Sequence, residues 1–580
     1  MGQTILLSLK RLYFVWKVFL SDFKKSLDHV LNLFSSLACF LVLTLLVLEF
    51  AFPPASSDKS FYFTVHEFIL FAFFLDVALR FIFFSKRRLL MFVIRPTDLL
   101  VIFPWLLEFL IPVLSINFFT SQVILLLLLL GRLGHLGFLL DFFKVRPAQF
   151  IIFAFIFLIF IGSLLLSLPN ASVDGVTLSY IDALFTACSA VCVTGLSVND
   201  VGKEFTLFGQ LILLFLIQIG GLGIMSFSVL VSMLLGKRIP QADTLKLQES
   251  YSTYNLKETF SAIAFIFKFT VFFELIGAVF LALFTFNEGY SLPARLFYSL
   301  FHSVSAFCNA GFSLFSDSLI GFQTHFPTIL TVSLLIIFGG LGFPVLFNLY
   351  QRYANKATTL KIGTKLALMV TGVLIVLGTV GIYLIESQHS LSHLATLDKI
   401  QVAYFQAVSA RTAGFNSIDL SGFYSPAIML LLGLMIVGAS PGSTGGGIKT
   451  TAFGLMAISF WNVLKSSFRF DFDGRTIDVR SVLKSFTLFI ISFMIIFAAV
   501  FVLLYTEKLP FKALFFEAVS AFGTVGFSLG ATTQLSPLGK GLMILLMFIG
   551  RIGPLTFLYS LFKPQAIKSY EYPVEKVSVV

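Results

Sequence analysis

The sequence predicts an all-α polytopic membrane protein, because of its composition and the pattern of its apolar runs. Hydrophobic residues make up 58% of the 580 residues, and charged residues only 12%. Mean hydropathy is +0.96, and many apolar runs reach the ~20 residues that a helix needs to cross hydrocarbon. The runs are continuous rather than alternating, which excludes a transmembrane β-barrel. A secreted enzyme, a DNA-binding protein and a disordered scaffold are excluded by the same composition.

Positive charges are distributed unevenly among the loops that separate the apolar runs. Twelve runs bounded by charged and turn residues are candidate spans, among them continuous runs at about 323–350 and 538–562. If the N-terminus is cytoplasmic, most of the 40 lysines and arginines fall in cytoplasmic loops. This bias predicts a multi-pass protein of the cytoplasmic (inner) membrane with both termini inside. The net charge of +11 is therefore a topology signal, with contact to anionic lipid as a second role, and nucleic acid is not an expected partner.

One sequence pattern recurs four times between residues 148 and 562. The copies read FTACSAVCVTGLS (185–197), FHSVSAFCNAGFS (301–313), YFQAVSARTAGFN (404–416) and FFEAVSAFGTVGFS (515–528). Each overlaps a segment too short to cross a bilayer, at about 178–190, 294–307, 398–410 and 510–522, between two long runs. The pattern predicts four tandem helix–pore-loop–helix units around a central pore. These are unit 1 at 148–235, unit 2 at 258–350, unit 3 at 363–460 and unit 4 at 481–562, with a cytoplasmic tail at 563–580.

The glycine near the end of each copy indicates what the loop can do. The four glycines are Gly195, Gly311, Gly414 and Gly526. Glycine permits backbone angles that turn successive carbonyl oxygens to one side, and a ring of carbonyls can replace the hydration shell of a monovalent cation. No Asp or Glu lies within five residues before any of these glycines, which disfavours a carboxylate ring for divalent cations. Alternatively, the loops are re-entrant hairpins of the kind that bind organic substrates in secondary transporters.

From about residue 148 to 562 the chain resembles the ion-translocating membrane subunit of the Trk/Ktr/HKT potassium transporter superfamily (TrkH/KtrB-like). The motifs are CVTGL (192–196), CNAGF (308–312), RTAGF (411–415), GTVGF (523–527), GASPGSTGGGIKT (438–450) and GRIGPLT (550–556). The resemblance implies potassium uptake through a filter whose potassium-binding residues are Val193, Thr194, Gly195, Asn309, Ala310, Gly311, Thr412, Ala413, Gly414, Thr524, Val525 and Gly526. In plant relatives a serine at the first filter glycine goes with sodium transport, so Gly195 favours potassium. A sodium-transporting relative is the alternative.

Two further features are candidates for a gate below the filter. Arg551 stands where the GGLG motifs of units 1 and 2 have glycine, and an arginine within a span is expensive enough to indicate a function. Its alternative role is that of a packing cation paired with a buried acid. The loop 438–450 contains too much Gly and Pro for continuous helix, and the resemblance implies that it closes the cavity together with the arginine. The candidate gate residues are Arg551, Gly445, Gly446, Gly447 and Lys449, the last with a cytoplasmic-edge anchor as its alternative role.

Three polar residues are expected to support the filter from behind. Arg411 lies in the third loop, where its hydrogen bonds would brace the loop backbone, because a cation on the filter wall would repel the transported ion. His302 and Glu517 each stand nine residues before their filter glycine. They either pair with each other behind the filter or are solvated independently.

Residues 1–147 lie outside the resemblance and supply four more candidate spans, at about 31–52, 61–84, 97–114 and 119–142. Their order resembles a voltage-sensor-like four-helix bundle. Stepping by three through the fourth span, however, only Arg132 carries a permanent charge. One charge contributes ~2.3 kcal/mol per 100 mV, which is too little for steep gating. A charge-poor bundle that serves packing or partner docking is the favoured interpretation.

No Walker A loop or catalytic triad is recognisable in the sequence, so the chain is not expected to be an enzyme or to hold a cofactor. K+ is the expected transported ion. The resemblance implies a homodimer in the lipid bilayer, beneath which a cytosolic ring of nucleotide-binding RCK-type regulatory subunits (TrkA/KtrA-like) docks. A non-ion secondary transporter with re-entrant hairpins is the last alternative. It is disfavoured because inverted repeats alternate in orientation, whereas the predicted topology places all four loops outside.

Overall fold

The computed structural model describes residues 59–84, 147–173, 178–223, 256–285, 291–354, 359–465 and 469–561, and single positions between 27 and 45. The architecture is that of these residues. The chain divides into two compact bodies. The N-terminal body comprises Met1–Val145, Leu168–Thr177 and Ser228–Ile239, and the pore body comprises Arg146–Ser167, Leu178–Phe227 and Pro240–Val580.

The N-terminal body contains helix α1 (Lys59–Phe84), which corresponds to the second candidate span. Asp76 is buried in this helix and accepts a hydrogen bond from Ser35 Oγ at 3.1 Å. The candidate spans at 97–114 and 119–142, with Arg132, lie outside the described residues. The four-span bundle over 1–147 therefore stays a prediction.

The pore body repeats one motif four times: a first helix, a short pore helix, a loop and a second helix. Repeat 1 consists of α2 (Pro147–Leu166), α3 (Tyr180–Val191), the single turn α4 (Val201–Glu204) and α5 (Leu207–Leu222). Repeat 2 consists of α6 (Leu256–Phe284), α7 (Leu292–Phe307), α8 (Phe326–Leu341) and α9 (Phe343–Ala354). Repeat 3 consists of α10 (Ile362–Glu386), α11 (Thr396–Ser409), α12 (Ser425–Ile436) and α13 (Thr450–Leu464). Repeat 4 consists of α14 (Val479–Thr506), α15 (Phe511–Gly523), α16 (Pro537–Ile552) and α17 (Pro554–Leu561).

Short elements complete the described chain. Single 3₁₀ turns lie at Pro169–Ala171, Ile320–Phe322, Leu420–Gly422 and Thr532–Gln534. A β-hairpin joins repeats 3 and 4, and its antiparallel strands are β1 (Asp471–Phe472) and β2 (Arg475–Thr476).

The four repeats are arranged in a cycle. The second helix of each repeat packs against the pore helix of the next: α5 on α7, α8 on α11, α12 on α15, and α16 back on α3. The first pore helix, α3, begins with a side-chain cap, because Ser179 Oγ accepts from the backbone N–H of Asp182 at 3.3 Å. These four helices confirm the short segments predicted from the repeated pattern.

Three of the described helices are long and apolar enough to cross a membrane alone, over Ala264–Phe284, Ile362–Glu386 and Val479–Thr506. Two bent helix pairs, α8 with α9 and α16 with α17, satisfy the same criterion if each pair counts as one span. Large apolar side chains such as Phe493 and Phe501 are exposed on these outer helices. The pore helices, in contrast, have their last five residues buried. Apolar side chains thus lie on the outer surface as well as in the core, as expected for a protein whose outer surface is solvated by lipid.

The second helices of repeats 2 and 4 are broken, whereas the sequence predicts continuous spans over 323–350 and 538–562. The axis turns by 94° between α8 and α9, and by 96° between α16 and α17. Each turn occurs at a glycine with positive φ, Gly342 at 87° and Gly553 at 94°. A residue with a side chain rarely adopts that conformation, so glycine determines where the helix ends. In repeat 1, α5 ends in the same way, before Gly223 at φ 80°.

Candidate functional site

The loops that follow the four pore helices meet one another in a closed ring. Each filter glycine lies directly against a backbone carbonyl of another repeat, so close that a Cβ atom would clash with it. The contacts are Gly195 with Ala310 O, Gly311 with Ala413 O, Gly414 with Val525 O, and Gly526 with Thr194 O. Repeat 1 thus contacts repeat 2, repeat 2 contacts repeat 3, repeat 3 contacts repeat 4, and repeat 4 returns to repeat 1. All twelve residues of the candidate filter lie in this ring or directly beside it.

The backbone of the ring has the same unusual conformation in every repeat. The residue two positions before each glycine is left-handed: Val193 at φ 57°, Asn309 at 59°, Thr412 at 72° and Thr524 at 50°. The glycines themselves have φ of 89°, 67°, 76° and 94°, while the residue between each pair does not have positive φ. Left-handed conformations at residues other than glycine cost about 1–3 kcal/mol each and cluster at functional sites. Alternation of this kind allows successive carbonyl oxygens to face one side, as a carbonyl-lined cation site requires.

A serine in each pore helix holds the backbone of its loop. The four serines are Ser189, Ser305, Ser409 and Ser520. The carbonyl oxygen of each accepts a hydrogen bond from the residue before the filter glycine, at 2.7–3.0 Å. The hydroxyl groups of Ser189 and Ser520 accept from the glycine N–H at 3.1 Å. Those of Ser305 and Ser409 donate to the carbonyl after the glycine, at 2.8 and 2.7 Å. Sequence reasoning missed this role, although the recurrence of the serine in all four copies was a signal for it.

His302 and Glu517 brace the chain just after the ring. His302 Nε2 is hydrogen-bonded to Ser313 Oγ at 3.1 Å. Glu517 accepts from Ser528 Oγ at 2.5 Å, from Thr532 Oγ1 at 2.7 Å and from the backbone N–H of Leu529 at 3.2 Å. Neither mutual pairing nor independent solvation describes them, because both side chains are buried and each bonds within its own repeat.

The third repeat uses other residues for the same purpose, because it is one residue shorter before the glycine. Gln406 takes the corresponding position, and its Nε2 donates to Ser417 Oγ at 3.3 Å. Arg411 was expected to brace its own loop. Its Nη2 instead donates to Thr371 Oγ1 at 3.3 Å and to the carbonyl of Gly438 at 3.4 Å. Arg411 therefore connects the end of the third pore helix to the segment that follows α12.

That segment, residues 437–449 between α12 and α13, is here called the gate loop after the role that the sequence predicts for it. It corresponds to the predicted loop 438–450. A parallel β-bridge between Val437 and Ile448 joins the two ends of the loop. The backbone N–H of Gly446 donates to Thr524 Oγ1 at 2.8 Å. A Cβ atom on Gly445 would clash with Thr412 Oγ1. The tip of the loop thus lies directly against two of the left-handed residues that precede the filter glycines, and only glycine fits there.

The gate loop also contacts the second helices of repeats 2 and 4 and the end of pore helix α7. Thr444 donates through its N–H to Gly339 O and through Oγ1 to Phe307 O, both at 3.3 Å. The N–H of Gly447 donates to Gly550 O at 3.3 Å. Residues 444–448 are buried, so the loop fills the space that it enters.

Arg551 connects the gate loop to repeat 1. Its Nη1 donates to the carbonyl of Thr444, and its Nη2 donates to the carbonyl of Gly220. No acidic side chain pairs with Arg551 among the described residues, so the packing-cation alternative lacks its partner. Lys449 Nζ donates to Gly445 O at 2.8 Å, which closes the loop on itself.

Three glycines allow the second helices to approach the pore helices closely. A Cβ atom on Gly220, Gly339 or Gly550 would clash with a backbone carbonyl four residues before a filter glycine. Those carbonyls belong to Val191, Phe307 and Phe522. The glycines were visible in the sequence as a shared motif, but their contact partner could not be read from it.

Four tandem repeats around a ring of loops, within a largely apolar helical chain, define a membrane transporter of cations rather than an enzyme. Residues 147–568 match the sequence model of the TrkH family, described as a cation transport protein, and the chain belongs to this family. The match leaves residues 1–146 outside it.

Individual relatives agree with the family assignment. The chain is 40% identical over 433 residues to the Ktr system potassium uptake protein B of Bacillus subtilis (strain 168), which covers 74% of this chain and 96% of that protein. It is 37% identical over 442 residues to the potassium/sodium uptake protein NtpJ of Enterococcus hirae, covering 75% and 97%. The crystal structure of the potassium transporter TrkH from Vibrio parahaemolyticus is similar with a TM-score of 0.58, at 20% identity, over 81% of this chain and 98% of that chain. At this identity, the last comparison shows the fold alone.

Proposed function

We propose that this protein takes up K+ across the cytoplasmic membrane through the ring formed by the four loops. The observation that carries the proposal is the cyclic contact of each filter glycine with a carbonyl of another repeat. Backbone carbonyls offer the field that a weakly hydrated monovalent cation needs when it leaves water. The names of relatives at 34–40% identity, which include Ktr system potassium uptake proteins, support potassium as the ion.

The gate loop and Arg551 form the proposed closure below the ring. Gly445 and Gly446 lie against Thr412 and Thr524, so the loop backbone occupies the space through which an ion leaving the ring would pass. Arg551 adds a positive charge beside that path and bonds to the loop at Thr444. A cation therefore meets both a steric and an electrostatic barrier until the loop moves.

The proposed partners are a second copy of the chain and a cytosolic nucleotide-binding regulatory subunit. The relatives' names describe components of a system, which supports a separate regulatory chain. The positive charge bias of the loops supports cytoplasmic termini, which would place the gate loop on the side where such a subunit docks.

Uptake of rubidium, a potassium congener, into liposomes containing the purified full chain tests the proposal. The parent protein should accumulate rubidium, with potassium competing well and sodium poorly. Gly414→Ala should markedly reduce uptake, because φ at Gly414 is 76° and the added Cβ would clash with Val525 O. Gly372→Ala is the matched control, since a Cβ there meets nothing within 4 Å, and it should transport like the parent. A folded parent protein without rubidium uptake would overturn the proposal, and equal competition by sodium would favour the sodium alternative.

A further inference from the structure

Helix α6 carries a carboxyl group that the proposed pathway does not use. Glu274 lies within Ala264–Phe284, a stretch long and apolar enough to cross a membrane, and it is only 6% exposed. An acidic side chain in such a position is expensive, and it marks a functional site by default.

The surroundings of Glu274 favour an uncharged carboxylic acid. Gln218 Nε2 donates to Glu274 Oε2 at 3.3 Å, and Cys308 Sγ lies 3.9 Å from Oε1. No lysine, arginine or histidine forms an ion pair with it within the described part of the chain. One amide and one weak thiol donor stabilise a carboxylate poorly, whereas a buried charge needs a counter-ion or several donors.

Two other buried carboxyl groups in the described part of the pore body have better donors. Glu517 accepts three hydrogen bonds from its own loop. Glu386 accepts from the backbone N–H groups of Tyr424 at 2.8 Å and Ser390 at 3.3 Å. Glu274 differs from these two groups because it has fewer and weaker hydrogen-bond donors. Its surroundings suit an uncharged carboxylic acid and lack the donors or counter-ion that a buried carboxylate needs.

The helices packed against α6 bring few other titratable groups. Helices α5 and α8 contain none. Those of α6 itself, α7 and α9 are Lys257, Glu258, Lys268, Arg295, Tyr298, His302, Tyr350, Arg352 and Tyr353, besides the Cys308 thiol at the end of α7. Lys268 is six residues from Glu274, about 9 Å along the helix axis. His302 bonds to Tyr298 O and Ser313 Oγ.

Glu274 lies at a junction between the ring and the gate. Cys308 directly precedes the filter segment of repeat 2. Gln218 is three residues before Gly221, where a Cβ atom would lie 2.5 Å from Cys308 Sγ. On the other side, the carbonyl of Gly221 lies 3.4 Å from Arg551 Nη2. The end of α5 is thus held between Cys308 and Arg551, and Gln218 connects it to Glu274.

We propose that Glu274 binds a proton and that this proton keeps the end of α5 in contact with the end of α7. This contact, between Gln218 and Gly221 on one side and Cys308 on the other, is here called the seam. The inference rests on the proposed function, since it concerns control of the same pathway. The protonated carboxyl accepts from Gln218 Nε2, while Gln218 Oε1 lies 3.7 Å from Cys308 Sγ, so Glu274, Gln218 and Cys308 contact one another. When the proton leaves to water, the buried carboxylate has too few donors in this cluster and draws water into the seam. The end of α5 then moves away from Arg551, and the gate loop loses its anchor.

The direction of the pH effect on ion flux follows from the contact between Glu274 and Gln218. The closed seam is present while Glu274 is protonated, and it is lost as pH rises. Ion flux should therefore increase several-fold from mildly acidic to mildly alkaline conditions. Glu274→Gln keeps an uncharged side chain of nearly the same shape, so its flux should stay at the acid level at every pH.

Infrared spectroscopy of the full chain in liposomes tests proton binding without measuring transport. The parent should show a protonated carboxylic acid band that weakens as pH rises and shifts on exchange into D₂O. Glu274→Gln should lack this band, while Glu386→Gln, the matched control, should keep it. The D₂O shift and the pH titration of the parent need no variant, so a misfolded Glu274→Gln leaves the inference testable.

Three results would overturn the inference: a parent without such a band, a band that persists in Glu274→Gln, or a band that responds to sodium instead of pH. The infrared result is independent of the transported ion. Absence of the band beside normal rubidium uptake refutes the proton site alone, whereas a titrating band without rubidium uptake refutes the proposed function alone.

Discussion

Replacement of Arg551 by alanine should raise ion flux in the absence of any regulatory subunit. The guanidinium donates to the carbonyl of Thr444 in the gate loop and to the carbonyl of Gly220 in repeat 1. A hydrogen bond to a charged group contributes about 1.5–3 kcal/mol. Only the bond to Thr444 holds the loop itself, and each 1.4 kcal/mol is a factor of ten, so the open fraction should increase roughly 10- to 150-fold.

Rubidium flux into liposomes that contain the membrane subunit alone measures this effect. Arg551→Lys separates the two contributions, because it retains the positive charge but cannot bridge two carbonyls with a planar fork. If the hydrogen bonds hold the loop, Arg551→Lys should also raise flux. If charge repulsion dominates, it should remain near the parent level. The preference for potassium over sodium should persist in both variants, since both changes lie outside the ring.

One outcome contradicts this reasoning directly. A folded Arg551→Ala protein, with the elution profile and thermal unfolding midpoint of the parent, whose flux is equal or lower, would make Arg551 a structural residue. The closure would then depend on the gate loop and its contacts with Thr412 and Thr524.

Three further predictions concern the ring, its supports and the N-terminal region. Gly195→Ser should lower the preference for potassium over sodium about tenfold, or ~1.4 kcal/mol, because its side chain would press on Ala310 O. Unchanged reversal potentials in mixed potassium and sodium would contradict it. Glu517→Gln should lower the free energy of unfolding by about 2 kcal/mol, since a neutral amide cannot satisfy the same donors, including Thr532 Oγ1; thermal unfolding in detergent measures this. Removal of residues 1–147 should leave selectivity intact, because all four loops lie downstream, and a folded truncated protein that conducts both ions equally would contradict the domain boundary.

The repeated pattern was enough to predict the pore helices. Four copies of one motif fixed their number and order, and the predicted segment at 178–190 differs from α3 (Tyr180–Val191) by only one or two residues at each end. Hydropathy could not predict the breaks in the second helices, because an apolar run reads the same whether the helix is straight or bent. Gly342 and Gly553 were visible, but their positive φ values depend on the tertiary packing around them.

The residues of the ring were predictable, whereas their contacts were not. The sequence shows which glycine belongs to each repeat, but the cyclic order of contacts arises from how the repeats pack. Gln406 illustrates the limit: a deletion of one residue moved the supporting position, and counting back nine residues led to Phe405 instead. The roles of Gly220 and Gly550 likewise depend on carbonyl groups of neighbouring helices.

The cyclic contact of four non-identical segments within one polypeptide has a genetic consequence. In a channel assembled from four identical subunits, one codon change alters every side of the pore at once. Here a codon change alters the loop of a single repeat, and the loops of the other three repeats retain their geometry. The position two residues before the glycine already differs, with Val193 and Asn309 in repeats 1 and 2 and Thr412 and Thr524 in repeats 3 and 4. Under the proposed function, selection can therefore adjust ion preference in small steps, each tolerated by a ring that is mostly unchanged.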